Sequence, residues 1–185
     1  MSNRRSPFIS SKGRFNFVHL FEPYAFNPQD KPEYRVTIMF DKDDKAAIRK
    51  INGAIEEAVQ RGISELKGWN GSRPRKLDLP LYDGDDQADK YPEYAGMVYL
   101  NCKTKNPPGI VDRDRNDIID SGELYSGCYG RVSLYFFPYD NAGKKGVGVR
   151  LNNVQKLSDG ERLGGVVTNP EDDFADDYED GEDDF

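Results

Sequence analysis

The chain has 185 residues, with 26 Lys and Arg against 33 Asp and Glu for a net charge of −7, a length that suits one domain with tails and a properly buried core. No apolar run approaches the roughly 18 residues of a membrane span, and the N-terminal MSNRRSPFISSKGRF lacks the apolar block of a secretory signal. Two cysteines, Cys102 and Cys128, with the single histidine His19 cannot make the usual four-ligand zinc site; they read as buried free thiols in a reducing compartment.

Residues 1–13, with Arg4, Arg5 and Lys12, read as a mobile basic arm. RFNFVHLF (14–21) is a first strand rich in aromatics, with His19 in a structural role. A Pro-punctuated connection through Pro23, Pro28 and Pro32 follows. YRVTIMF (34–40) alternates, with Tyr34, Val36, Ile38 and Phe40 on one face and Arg35, Thr37 and Met39 on the other. A helix is predicted next, over 41–67, capped by Asp41, Asp43 or Asp44. Its apolar stripe is Ile48, Ile51, Ile55, Val59, Ile63 and Leu66. The stretch 67–95 is a long irregular loop, basic around Trp69 and then acidic. Loops of that length are usually functional or disordered.

A third strand, GMVYLNCKTK (96–105), turns Val98, Leu100 and Cys102 inward and Tyr99, Asn101 and Lys103 outward. After an irregular excursion, CYGRVSLYFFPY (128–139) sets Val132, Leu134 and Phe136 against Arg131, Ser133, Tyr135 and Phe137. A turn over 140–146 uses Asn141 and Gly143 for positive φ. VGVRLNNVQKL (147–157) is the fifth strand, with Arg150 opposite Val147, Val149 and Leu151.

Five strands and one helix predict a mainly β fold, an OB-fold-like five-stranded barrel over 14–157. The helix falls between the second and third strands, whereas the usual OB helix lies between the third and fourth. Either a strand is hidden near Pro23–Lys31 or the topology is decorated.

Residues 158–170 form a linker with Gly160, Gly164 and Gly165. Residues 171–185, EDDFADDYEDGEDDF, hold ten carboxylates and no cation. Mutual repulsion and scarce apolar surface predict a disordered acidic tail. Without it, residues 1–170 carry 26 basic against 23 acidic groups, a net of +3. A basic body with an acidic arm suits a polyanion partner that the arm mimics, although an acidic tail also serves solubility alone.

The outward set Arg35, Tyr99, Lys103, Arg131, Tyr135, Phe137 and Arg150, with Lys144 and Lys145 at the turn, mixes aromatics and cations. Single-stranded DNA asks for that mixture, because bases stack on rings while cations follow phosphates. The same rings could simply pack under a loop. DRDRNDIIDSGE (112–123) has the spacing of a calcium loop but carries Asp117 where the sharp turn needs Gly, so it reads as a charged hairpin. Asp83, Asp85, Asp86 and Asp89 could mimic a two-metal cluster, yet they sit in a Gly-containing loop. A metal-dependent nuclease or resolvase built on these loops is the enzyme alternative. A chain whose acidic surface is itself a DNA mimic is a third reading. No nucleophile–base pair or Gly-rich phosphate loop is present, so neither catalysis nor a cofactor is expected.

At YSGCYGRVSLYFFPYDNAGKKGVGVRLNNVQKLSDGERLGG (125–165) the chain resembles the phage-encoded single-stranded-DNA-binding protein family. HLFEPYAFN (19–27), DLPLYDGDD (78–86), PEYAGMVYLN (92–101) and PGIVD (108–112) extend the match over nearly all of 14–165. The resemblance implies an OB-fold that coats single-stranded DNA without sequence preference during phage replication, recombination or repair, in the cytoplasm of the infected bacterial host. Functionally similar proteins end in acidic tails with a terminal aromatic. Glu171, Asp172, Asp173, Phe174, Tyr178, Asp183, Asp184 and Phe185 fit that pattern and imply a handle for a polymerase, helicase or nuclease. Homo-oligomers are compatible with this reading.

Overall fold

A computed structural model describes residues 6–163. The strands are β1 (Phe8–Ile9), β2 (Gly13–Tyr24), β3 (Glu33–Asp41), β4 (Leu81–Asp83), β5 (Met97–Thr104), β6 (Gly109–Val111), β7 (Tyr129–Asn141) and β8 (Lys144–Ser158), with one helix, α1 (Lys45–Glu65). Five strands close a ring in the order β2–β3–β5–β8–β7 and back to β2. All pairings in the ring are antiparallel except β5–β8. This is an OB barrel, and Phe15, Val36, Ile38, Leu100, Cys102, Val132, Leu134 and Leu151 fill its interior.

The helix does lie between the second and third strands of the ring, so the topology is decorated. Residues 25–32 form no strand, and the residues nearest the expected hidden strand, Pro23 and Tyr24, are the end of β2. Asp44 is the cap that the helix uses, its carboxylate accepting the Ala47 N–H at 3.2 Å. The buried stripe is Ala47, Ile51, Ile55, Ala58, Val59 and Gly62, displaced toward small residues relative to the isoleucine pattern. The helix packs on β7, and tight approach to a sheet favours Ala and Gly over longer side chains.

Three further differences from the sequence expectation have local causes. Residues 8–13, expected in a mobile arm, are tied to the sheet: β1 pairs with β7, and Ser10 exchanges two 3.0 Å hydrogen bonds with Val132. The β7–β8 turn is only two residues long, and its positive φ values fall on Ala142 (53°) and Gly143 (90°) rather than on Asn141. Both φ values are positive, the geometry that matches strand twist in a tight hairpin, and the Asp140 carboxylate accepts the Gly143 N–H. Finally, residues 158–163, expected at the start of a linker, are tied to the body. Leu163 N–H donates to the Ser126 carbonyl, and Arg162 stacks on Tyr125. Residues 164–185, including the acidic tail, lie outside the described residues.

Cys102 and Cys128 are free and buried. Burial pushes both thiols above their ordinary range, which removes them as nucleophiles at neutral pH.

The stretch 67–95 is anchored at its start by Trp69. Trp69 is fully buried against Gly62 of α1, and its indole N–H donates to the Tyr139 carbonyl at 3.3 Å. A Cβ at residue 62 would sit 2.4 Å from the Trp69 ring, whereas one at Gly53 would meet nothing within 4 Å. The two glycines of the same helix therefore respond oppositely to alanine. Gly62→Ala is expected to destabilise by about 1–3 kcal/mol through overpacking, and Gly53→Ala to stabilise by about 0.5–1 kcal/mol through helix propensity. Urea unfolding midpoints of the two variants check this directly.

Candidate nucleic-acid interface

β5 and β8 share one register pair, Lys103 with Arg150. On the β4 side of that pair the two strands diverge, and residues 78–83 enter the gap. Asp78 bridges to Gly146 of β8, while Leu81–Asp83 pair with Val98–Leu100 of β5. The result is an open cleft of ≈ 720 Å³ beside the ring. β3 and β5 form its floor, the β7–β8 hairpin one wall, and the 78–94 stretch the other.

A transverse row of cations crosses the floor and continues beyond it onto β8. Arg35 on β3 faces Lys103 on β5, Lys103 faces Arg150 on β8, and Arg150 faces Tyr135 on β7. Like charges directly opposite one another weaken a sheet, so this row is unfavourable for the protein alone. Among the described residues none of the three has a carboxylate partner. Arg35 is half-buried and its Nε is enclosed without a hydrogen-bond acceptor, a state that costs free energy until an acceptor arrives. Arg35 lies over the Phe26 ring at 4.6 Å and Arg150 over Tyr135 at 5.2 Å. His19 extends the row on β2, opposite Arg35. Burial, and then the Arg35 charge, hold its imidazole below its ordinary pKa, so a neutral ring stacks on Tyr24 at 4.2 Å.

Exposed aromatics flank the cations. Phe26 is 58% exposed, Tyr82 46% and Phe137 41%. Phe137 rests on Gly148, directly across from it in the hairpin, where a Cβ would come within 2.4 Å of the ring. Tyr99, expected outward, is on the cleft side but 9% exposed. Its ring meets Tyr94 edge-on at 4.7 Å and Tyr82 at 5.4 Å, making it the support beneath Tyr82 rather than an open platform.

Phe17 reaches the cleft through a break in strand parity. Phe15 and Leu20 both face the core, an odd spacing that requires a bulge. The register shifts after Asn16, and Phe17 takes φ = 47°, a costly conformation for an aromatic residue. Asn16 Oδ1 accepts the Phe17 N–H at 2.8 Å, Ser126 Oγ accepts the next N–H, and the ring packs on Tyr91 at 5.2 Å.

The remaining expected residues are dispersed. Lys144 lines the cleft mouth and lies 3.5 Å from Asp78. Lys145 sits at the hairpin tip opposite Asp140, outside the cleft lining. Arg131 donates to Gln155 at 2.6 Å, and Gln155 donates in turn to the carbonyls of Asp112 and Arg113, which ties that side of the barrel to the 112–123 excursion. In that excursion Asp112 accepts the N–H groups of Asp114 and Asn116, so its carboxylate shapes a turn. Asp83 and Asp85 likewise serve structure: both engage Lys42, Asp83 at 2.7 Å and Asp85 at 2.5 Å, and Asp85 also accepts the Gly96 N–H. The aromatics contributed by connections, Phe26, Tyr82, Tyr91 and Tyr94, were not among the expected site residues. PYAF (23–26) and LYDGDD (81–86) each set an aromatic among turn-formers, the only signal available in sequence.

The Lys42 latch holds β4, and with it Tyr82, against β5. Lys42 hydrogen bonds draw both carboxylates below their ordinary 3.8, with the Gly96 N–H the larger influence on Asp85; the carboxylates raise Lys42 from 10.5 to about 12. Depressed acids stabilise above their unfolded value, and the raised amine stabilises below its own. The latch is therefore at full strength from 3.8 to 10.5. Amide exchange at Tyr82 and Gly96 should show protection across that window and lose it as pH falls through the depressed carboxylate pKa. Lys42→Ala should accelerate exchange at both amides at neutral pH.

The family described as Enterobacter phage Enc34, ssDNA-binding protein, matches residues 6–185. Protein p50 of Acyrthosiphon pisum secondary endosymbiont phage 1 is 31% identical over 163 residues, covering 84% of this chain and 86% of its own. Among solved structures, the single-stranded DNA-binding protein from bacteriophage Enc34 in complex with ssDNA superposes with a TM-score of 0.71 at 23% identity, covering 84% of this chain and 88% of that one. The single-stranded DNA-binding protein gp2.5 of bacteriophage T7 superposes with a TM-score of 0.57 at 18% identity, covering 94% and 95%. At these identities the structural likeness is one of fold, and the match over 6–185 is one of family: the chain belongs to the Enc34 phage ssDNA-binding protein family.

Proposed function

We propose that this chain binds single-stranded DNA without sequence preference and without catalysis, in phage DNA replication, recombination or repair within the host cytoplasm. The observation that carries the reading is the transverse row Arg35–Lys103–Arg150, three cations in cross-strand register between exposed rings, with no carboxylate partner among the described residues. A phosphate backbone laid along the row would relieve the mutual repulsion and supply the acceptor that Arg35 Nε lacks. Bases turned toward Phe26, Tyr82 and Phe137 would stack at about 1–3 kcal/mol each. Every base has a π-face, so this recognition tolerates any sequence.

The acidic segment 171–185 is the second half of the proposal. Its ten carboxylates and three aromatics, Phe174, Tyr178 and Phe185, reproduce in peptide form what the cleft asks of DNA. Tethering gives a weak competitor an effective concentration of order mM, so DNA must displace it. Once displaced, the tail is available to basic sites on replication proteins.

Two measurements test this. Phe137→Ala and Tyr82→Ala should each weaken binding to a homopolymeric single strand by about 1–3 kcal/mol while leaving the unfolding midpoint near that of the parent. Deleting 171–185 should tighten binding at low salt and abolish capture of replication proteins. Unchanged low-salt affinity would rule out the competition.

A further inference from the structure

A second groove of ≈ 660 Å³ lies around the barrel from the cleft, between α1 and the edge of β7. It opens where β1 stops covering β7: Phe8 pairs with Leu134, and beyond that point the β7 edge at 135–137 faces the helix. The helix presents Lys50, Ala54, Glu57 and Arg61, spaced three and four apart on one face. Arg61 Nη2 donates to the Phe136 carbonyl at 2.7 Å, capping the strand edge, and Lys50 stands 5.4 Å over the Phe8 ring.

The two concavities are continuous. Phe137 lines both, and the cation row leads from one to the other, with Arg35 and Lys103 in the cleft and Arg150 and Tyr135 in the groove. Neighbouring strands lie about 4.8 Å apart, so the row crosses four strands as an unbroken track that ends at the groove. Arg61 and Glu57 line its far side, and Lys50 stands at its rim over the Phe8 ring. Apolar surface from Phe8 and Phe136, which meet edge-on at 5.2 Å, lies between them.

Resting on the single-strand-binding reading, we infer that the groove between α1 and β7 is a second DNA subsite, reached by a strand that leaves the cleft over Phe137. Arg150 stacked on Tyr135 is the hand-over point. Lys50 and Arg61 take the phosphates beyond it, and Glu57 in the groove lining opposes their passage. A strand too short to pass Phe137 occupies the cleft alone.

The test compares oligothymidylates of about 4 and about 12 nucleotides, spanning the range of site sizes for one such barrel, on the full chain. Lys50→Glu and Glu57→Lys are helix-surface changes of opposite sign. Lys50→Glu should weaken binding of the longer strand only. Glu57→Lys should tighten the longer strand only and steepen its log–log salt dependence by roughly 0.7. Equal effects on both lengths, or no effect on the longer strand, would overturn the subsite. If the parent chain binds neither length, the single-strand-binding reading itself fails along with it.

Discussion

The barrel closes between β5 and β8 through a single parallel pair, and that pair is two cations, Lys103 and Arg150. The geometry of the cleft follows from how little holds that seam together. A fully laddered seam would bring β8 against β5 along its length and leave no cleft. Here the strands part, residues 78–83 fill the opening by bonding to β8 at Asp78 and to β5 at Leu81–Asp83, and the floor stays accessible. The repulsion built into the seam weakens the sheet and leaves a concentrated positive field over the floor.

Around that seam, rigidity is imposed from the periphery. Trp69 packed on Gly62 fixes the start of the 67–95 stretch, and the Lys42 contacts with Asp83 and Asp85 fix its later part. Tyr82 is thereby held over Tyr99, itself braced by Tyr94. The bulge at Phe17 turns one more ring to the same side. A binding surface of this kind loses little conformational entropy when it is occupied, because its aromatic platforms are seated beforehand.

Much of this was legible in the sequence. Aromatic richness located the first strand of the ring and period-two alternation the other four, and parity placed Arg35, Lys103, Tyr135, Phe137 and Arg150 on the face opposite the core. The helix position was also correct, and of the two explanations open for it the decorated topology is the one found. Parity fails where the backbone departs from regular pleat. It could not show that the Phe17 bulge sends one aromatic to the cleft, or that Met39 and Tyr99 are covered by residues 91–94. Nor does composition show that the acidic loop 78–94 folds back as a wall. Its strand is only three residues long, and its stability comes from Trp69 and Lys42, each distant in sequence from what it holds. Tyr24 and Phe26 were hidden for a similar reason, in a proline-rich connection without periodicity. The acidic segment is the reverse case: its composition states its charge outright, with no periodic pattern behind it.

The central claim is that the seam cations form the track for a polyanion. The most direct test is the salt dependence of single-strand binding for the parent chain and for the combined Arg35→Gln, Lys103→Gln and Arg150→Gln variant, with unfolding followed in parallel. Each phosphate contact on a single strand contributes roughly 0.7 to the log–log slope. The account predicts a slope shallower by roughly 2 in the variant, together with a fold at least as stable as the parent's, because the unfavourable cross-strand repulsion is gone. An unchanged slope with an intact fold would contradict it.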